Sequence, residues 1–205
     1  HTHTHTHETR IHTHTLTLTT QTVAANANSL SMPFLEQPKN LDGSMAGDVG
    51  FDPLGLSEID DLGVDLYWMR EAELKHGRVA MLAATGVIWV EAFGPLPGWP
   101  EADGRSQMDV FWDAWEEHPN AICAGIVFIT AIELISGVAT TMGRKTGERA
   151  PGDFGLNPLQ FEITEELALK EIKHGRLAMW AVMGQIGAGL MTHEPAFGNL
   201  DKIFS

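Results

Sequence analysis

Glu73-Leu-Lys-His-Gly-Arg78 recurs almost letter for letter as Glu171-Ile-Lys-His-Gly-Arg176, and both copies run straight into apolar sequence, Val79-Ala-Met-Leu82 and Leu177-Ala-Met-Trp180. A carboxylate, an imidazole and a guanidinium thus appear twice at one fixed spacing. On a helix the Glu and the His three residues on share a side, while the Arg at Glu+5 points well round from both. Two such helices crossing as a pseudo-symmetric pair can exchange ion pairs reciprocally, Glu73 with Arg176 and Glu171 with Arg78. Each His and part of each carboxylate is then left to bind something else. Gly77 and Gly175 sit between the His and the Arg of their motifs, with Ala80 and Ala178 three positions on. Glycine costs about 1 kcal/mol in a helix interior. Close approach of two backbones at a small-residue crossing is the compensating role.

The elements that must position these groups can be read from pattern. The spacing predicts helices over about 65–92, 120–142 and 163–191, the first and third polar at the start and apolar afterwards. Each motif helix follows a turn-rich loop, Gly50-Phe-Asp-Pro-Leu-Gly-Leu56 and Gly152-Asp-Phe-Gly-Leu-Asn-Pro-Leu159, so that Asp52-Pro53-Leu54 corresponds to Asn157-Pro158-Leu159. The duplication therefore includes the loop before each helix. Between the copies, Ala121–Ala139 is 19 residues with Glu133 as its only charge, the clearest membrane span in the chain. A carboxylate at that depth demands a cation, a metal or a proton as partner. The apolar run from Val79 to Val90 is short of the ~20 residues needed to cross a bilayer unless the motif itself lies within the hydrocarbon. Reciprocal Glu/Arg pairing makes that tolerable. The expected fold is an all-α membrane protein of three transmembrane helices, the first and third a pseudo-two-fold crossed pair. Residues 95–118 read as a loop rich in Pro, Gly, acids and tryptophan. The stretch from His193 to Ser205 is too short to span anything, though part of it could lie along a membrane surface.

Composition narrows the classes. A formal net charge of -14 and no basic stripe exclude a nucleic-acid partner. The single cysteine, Cys123, excludes an intrachain disulfide framework. Residues 1–30 hold six of the ten histidines and read as a disordered tail or the remnant of a targeting leader. Residues 31–205 read as a single domain.

Three chemistries use the duplicated motif. Glu-x-x-His on two helices is half of a di-iron carboxylate centre, which would make the chain an oxidoreductase, but only Glu133 is available to complete it and each Arg competes with a metal for its carboxylate. A purely structural ion-pair clasp accounts for Glu and Arg and leaves His76, His174 and Glu133 unexplained at apolar depth. A magnesium ion in a planar four-nitrogen macrocycle accepts one axial ligand, which a neutral His or an Arg-neutralised Glu can supply without stranding charge in lipid. Chlorophyll is such a ligand.

The two Glu-x-x-His-x-Arg helices, each after a Phe-Asp-Pro-Leu-like loop, with a Glu-bearing apolar helix between, resemble the light-harvesting chlorophyll-binding family of thylakoids over residues 31–200. The Lys173-His174-Gly-Arg form of the second motif and the Ser31-Met-Pro-Phe-Leu start are similar to its chlorophyll a/c (fucoxanthin or peridinin) or red-algal branches. The resemblance implies axial ligation of chlorophyll magnesium by Glu73, His76, Glu133, Glu171 and His174, with Arg78 and Arg176 in the cross-helix pairs. It implies carotenoid end groups at Asp52, Pro53, Asn157 and Pro158. Many members carry a Gln 17 residues after the second motif's Glu; that position is Ala188 here, and Gln185 either substitutes or bonds a neighbouring helix. His118 and His193, near helix ends, are weaker candidates. The resemblance further implies chlorophyll a with chlorophyll c, and carotenoids of the fucoxanthin, peridinin or diadinoxanthin type. It implies a place in the chloroplast thylakoid membrane, photosystem core subunits and other antenna proteins as partners, and no bond chemistry. Harvesting for a photosystem is the expected role, and energy quenching the alternative within the family.

Overall fold

The computed structural model describes residues 28–59, 65–147, 149–158 and 160–204; the expected tail at 1–27 and Leu159 lie outside them. Five α-helices follow one another: α1 Leu66–Phe93, α2 Gln107–Glu117, α3 Pro119–Thr146, α4 Glu165–Thr192 and α5 Ala196–Phe204. The three long helices match the expected ones to within four residues at each end. Their starts follow capping chemistry: the Asp65 side chain accepts from the Trp68 N–H, Thr164 accepts from the Leu167 N–H, and Pro119 opens α3. Gly94 ends α1, and the left-handed Gly147 and His193 end α3 and α4.

Two short helices replace expected irregular chain. The segment 95–118 is not a loop throughout, because α2 forms within it. Ser106 accepts from the Asp109 N–H, and Val110 and Ala114, one turn apart, are buried. Prolines and acids on either side mask that brief apolar stripe in the sequence. The C-terminal segment forms α5, whose first N–H groups, those of Ala196 and Phe197, donate to the two oxygens of Glu91 at the end of α1. Carboxylate at a helix N-terminus satisfies donors the helix leaves open.

The three long helices have 28 residues each. At 1.5 Å per residue that is about 42 Å, more than the ~30 Å of a bilayer's hydrocarbon. Among the described residues α3 alone passes on composition, with a mean hydropathy of 2.2. α1 and α4 carry the motif charges in their first halves and reach the same length by pairing them.

What the chain buries by itself is small. The buried apolar side chains are Met32, Ala80, Val110, Ala114, Ile172 and Ala178, half of them alanine, while Leu82, Trp180, Leu134 and Ile135 are 69–80% exposed. An apolar face of this extent needs covering by something other than the chain's own residues.

Candidate functional site

α1 and α4 cross at the paired glycines. A methyl group built on Gly77 would lie 3.0 Å from the Cα of Gly175, and one on Gly175 would lie 3.1 Å from the Cα of Gly77. The backbones touch there, with Ala80 and Ala178 buried alongside. The reciprocal ion pairs form as the spacing demands: Arg78 Nε to Glu171 Oε1 at 2.7 Å, and Arg176 Nε to Glu73 Oε1 at 2.7 Å. Each guanidinium also donates through Nη1 to the backbone of the loop before the opposite helix, Arg78 to the Gly152 carbonyl at 2.7 Å and Arg176 to the Gly47 carbonyl at 3.0 Å. The two loops are thereby superimposable in role. Gly47 and Gly152 both have φ above +70°, and Asp48 and Asp153 each accept from the N–H two residues on, Gly50 and Gly155, at 2.9 Å. Asp52 and Asn157 each accept from the N–H four residues on, Leu56 and Phe161. Both are thus turn-holders, and at Asp52 burial, which raises a carboxyl's pKa, is outweighed by the N–H groups of Ser57 and Leu56, so that the pKa is lowered.

The pseudo-symmetry fails in two informative places. Glu73 Oε2 lies 2.8 Å from Nη1 of the buried Arg70, so this carboxylate faces two cations, whereas Glu171 holds one. At the position of Glu71, α4 has Leu169. Glu71 is 3% exposed and accepts from Arg149 Nη2 at 2.7 Å, Thr140 Oγ1 at 3.1 Å and the Gly152 N–H at 2.5 Å. It ties α1 to α3 and to the second loop. Sequence reasoning passed over it because it lies outside the duplicated letters. The one available signal was a pair of adjacent charges, Arg70-Glu71, just before the motif.

The two motif histidines are anchored alike. His76 Nδ1 lies 2.7 Å from the Ala72 carbonyl, and His174 Nδ1 lies 2.7 Å from the Lys170 carbonyl. A carbonyl only accepts, so Nδ1 carries a hydrogen, and in the neutral tautomer the lone pair lies on Nε2. Both rings lie on exposed helix faces, away from the crossing. Glu133 finds its partner in Lys75, Nζ to Oε2 at 2.7 Å, with Ser136 Oγ accepting from the same Nζ at 2.7 Å. The expected cation is therefore a lysine, and Lys75 is a second residue the sequence did not single out. Its counterpart Lys173 is exposed, and α3 packs against only one side of the crossed pair.

Among the described residues no group of three or more His, Cys, Asp or Glu gathers as a metal centre would require. With Glu73 and Glu171 held by arginines, the di-iron alternative loses its ligands. A family description for chlorophyll A-B binding proteins matches residues 37–188. The chain belongs to the chlorophyll a/b-binding protein family. Among its curated relatives, the fucoxanthin-chlorophyll a-c binding protein of Chattonella marina var. antiqua is 36% identical over 163 residues, covering 77% of this chain and 72% of that one. Chlorophyll a-b binding protein 3 of Pisum sativum is 31% identical, covering 78% and 69%. Photosystem I chlorophyll a/b-binding protein 5 of Arabidopsis thaliana is 32% identical, covering 82% and 73%. As a member of this family the chain is a light-harvesting antenna protein, and it binds chlorophyll.

Two depressions flank the crossing of this antenna protein. One, of 490 Å³, lies between the first loop and the start of α1, with Val49, Phe51, Asp52, Leu66 and Met69 on its walls. The other, of 590 Å³, lies at the second loop, with Pro151, Phe154, Leu156, Ile163 and Ile172. Asp52 lines the first; Pro53, Asn157 and Pro158 do not line either and support the loops instead. Gln185 turns inward to a cavity of 100 Å³ shared with Gln107, Glu91 and Glu194, and its Oε1 is buried without a hydrogen-bond partner. That cavity admits a few water molecules and no tetrapyrrole, so Gln185 is not placed as the substitute pigment ligand. His118 donates from Nε2 to the Gly98 carbonyl at 2.7 Å, which leaves Nδ1 as its other nitrogen.

Proposed function

We propose that His76 and His174 hold chlorophyll magnesium through Nε2, with Glu171, Glu73 and Glu133 as charge-neutralised oxygen ligands, in a three-helix domain of the thylakoid membrane. The observation that carries this reading is the state of the two rings. Each has its Nδ1–H fixed to a backbone carbonyl and its Nε2 side on an outward helix face. A backbone-anchored imidazole of this kind is a pre-oriented metal ligand. The carboxylates fit for a related reason. Each has its charge met by Arg or Lys, and Glu171 Oε2 and Glu133 Oε1 stay open, whereas Glu73 also faces Arg70. The sparse interior fits as well, since flat apolar pigments laid against α1, α3 and α4 would cover the exposed leucines, isoleucines and tryptophans.

Chlorophyll supplies absorption and excitation transfer; the chain's residues fix its distance and orientation. On this reading the protein carries out no bond chemistry. The two depressions suit the end groups of two carotenoids, with Asp52 reaching the first. A relative named for fucoxanthin and chlorophylls a and c favours those pigments here, and relatives described as chloroplastic and as belonging to photosystem I favour delivery of energy to photosystem core subunits in chloroplasts, alongside other antenna proteins.

Refolding the chain with a chlorophyll and carotenoid extract tests this directly. Excitation into the carotenoid band is expected to yield chlorophyll fluorescence from the purified complex. Pigments that bind without such transfer, or a refolded protein that retains none, would overturn the reading.

A further inference from the structure

We infer that His193, at the junction of α4 and α2, is a further axial chlorophyll ligand, oriented by Asp109. The inference rests on the pigment-binding reading of His76 and His174, and three observations carry it to this residue. His193 Nδ1 lies 3.0 Å from Asp109 Oδ1 and 3.1 Å from Oδ2. A carboxylate only accepts, so Nδ1 carries a hydrogen as in His76 and His174, and the neutral tautomer offers Nε2 to a metal. Its side chain is 68% exposed. A carboxylate behind the protonated nitrogen is the usual second partner of a metal-bound imidazole, raising its basicity and fixing its plane.

The second observation is the backbone. His193 sits at φ 58°, ψ 16°, the left-handed conformation at the end of α4. Glycine is the common residue there, and other L-residues adopt it at a cost of roughly 1 kcal/mol or more. An imidazole kept where glycine would be easier points to a use for the ring. The third is the mounting. The His193 carbonyl accepts from the Ser106 N–H at 3.0 Å, and Ser106 Oγ donates to Asp109 Oδ2 at 3.0 Å. The ring, its carboxylate and the α2 start are thus one hydrogen-bonded unit. Trp112, one turn beyond Asp109 on α2, is 63% exposed, and Met191, two residues before His193, is 85% exposed, so apolar surface is available close by in the chain.

His193→Gly is the decisive variant, because it keeps the backbone carbonyl, relieves the left-handed strain and removes only the ligand. After refolding with the pigment extract, pigment analysis is expected to show about one chlorophyll fewer per chain, with helical content unchanged and imidazole in the buffer restoring the loss. Asp109→Ala is expected to weaken retention of the same chlorophyll. An unchanged pigment count in His193→Gly overturns the inference. His174→Ala in parallel separates the levels: loss there without loss in His193→Gly leaves the antenna reading standing and removes this one, while a wild-type chain that binds no chlorophyll removes both.

Discussion

Replacing Gly175 by alanine sets two effects of opposite sign against each other. In an open helix the change stabilises by up to about 1 kcal/mol, because glycine is that much poorer as a helix former. At the crossing the new methyl would stand 3.1 Å from the Cα of Gly77, and the atom it meets is backbone rather than a side chain that can turn aside. The helices must separate by several tenths of an ångström, and both Arg–Glu pairs, each at 2.7 Å, stretch with them. Overpacking of this kind costs about 1–3 kcal/mol, more than the propensity gain at the upper end. Gly77→Ala should match it by symmetry. The double variant should show a coupling of about 0.5 kcal/mol or more, as residues in contact do. Gly86, nine residues along α1 with nothing within 4 Å, is the internal control and should gain stability when changed to alanine. The assay is the temperature at which the refolded complex loses its pigment circular dichroism. If Gly77→Ala and Gly175→Ala are as stable as Gly86→Ala and combine additively, the backbones do not meet at the glycines and the crossing is misassigned.

Three further outcomes follow from the same geometry. Arg78→Ala should lower the yield of refolded complex more than Arg176→Ala, since Glu171 is left without a cation while Glu73 keeps Arg70 at 2.8 Å; equal yields would show that Arg70 does not share the load. Lys75→Met should strip pigment and loosen α3 by leaving Glu133 charged and unpaired in lipid, and adding Glu133→Gln should recover the fold, measured by thermal melting of the single and double variants. Acidification should leave the α2–α4 junction intact until the Asp109 carboxylate itself protonates. The hydrogen bond from His193 holds that pKa below its usual value, so the stabilisation is present above about pH 3.9 and is lost as pH falls through the lower folded value. Emission from Trp112 and Trp115 on α2 reports the change, and a transition near pH 6 would contradict it.

Most of the architecture was legible because it rests on local rules repeated twice. The Glu-to-Arg spacing set the crossing, and Gly77 and Gly175 marked its contact point. What stayed hidden depends on tertiary contacts without a periodic signal. Glu71 is buried by three partners from α3 and the second loop, none of which the motif announces. Lys75 looks like any solvated lysine until α3 brings Glu133 to it. The α2 helix rests on Val110 and Ala114 and a serine cap, too brief a pattern among prolines and acids to stand out. The surroundings of Gln185 and His193 were hidden for the same reason: one faces a small internal cavity, and the other is held by a carboxylate at an exposed helix end.

The central claim is that outward imidazoles on the crossed helices hold chlorophyll. It is tested most directly by the chlorophyll stoichiometry of His76→Ala, His174→Ala and their combination, refolded with pigment and checked for helical content. The expected result is the loss of about one chlorophyll in each single variant and two in the double, with the Arg–Glu crossing and the helices preserved. Wild-type chlorophyll content in the folded double variant would contradict the account.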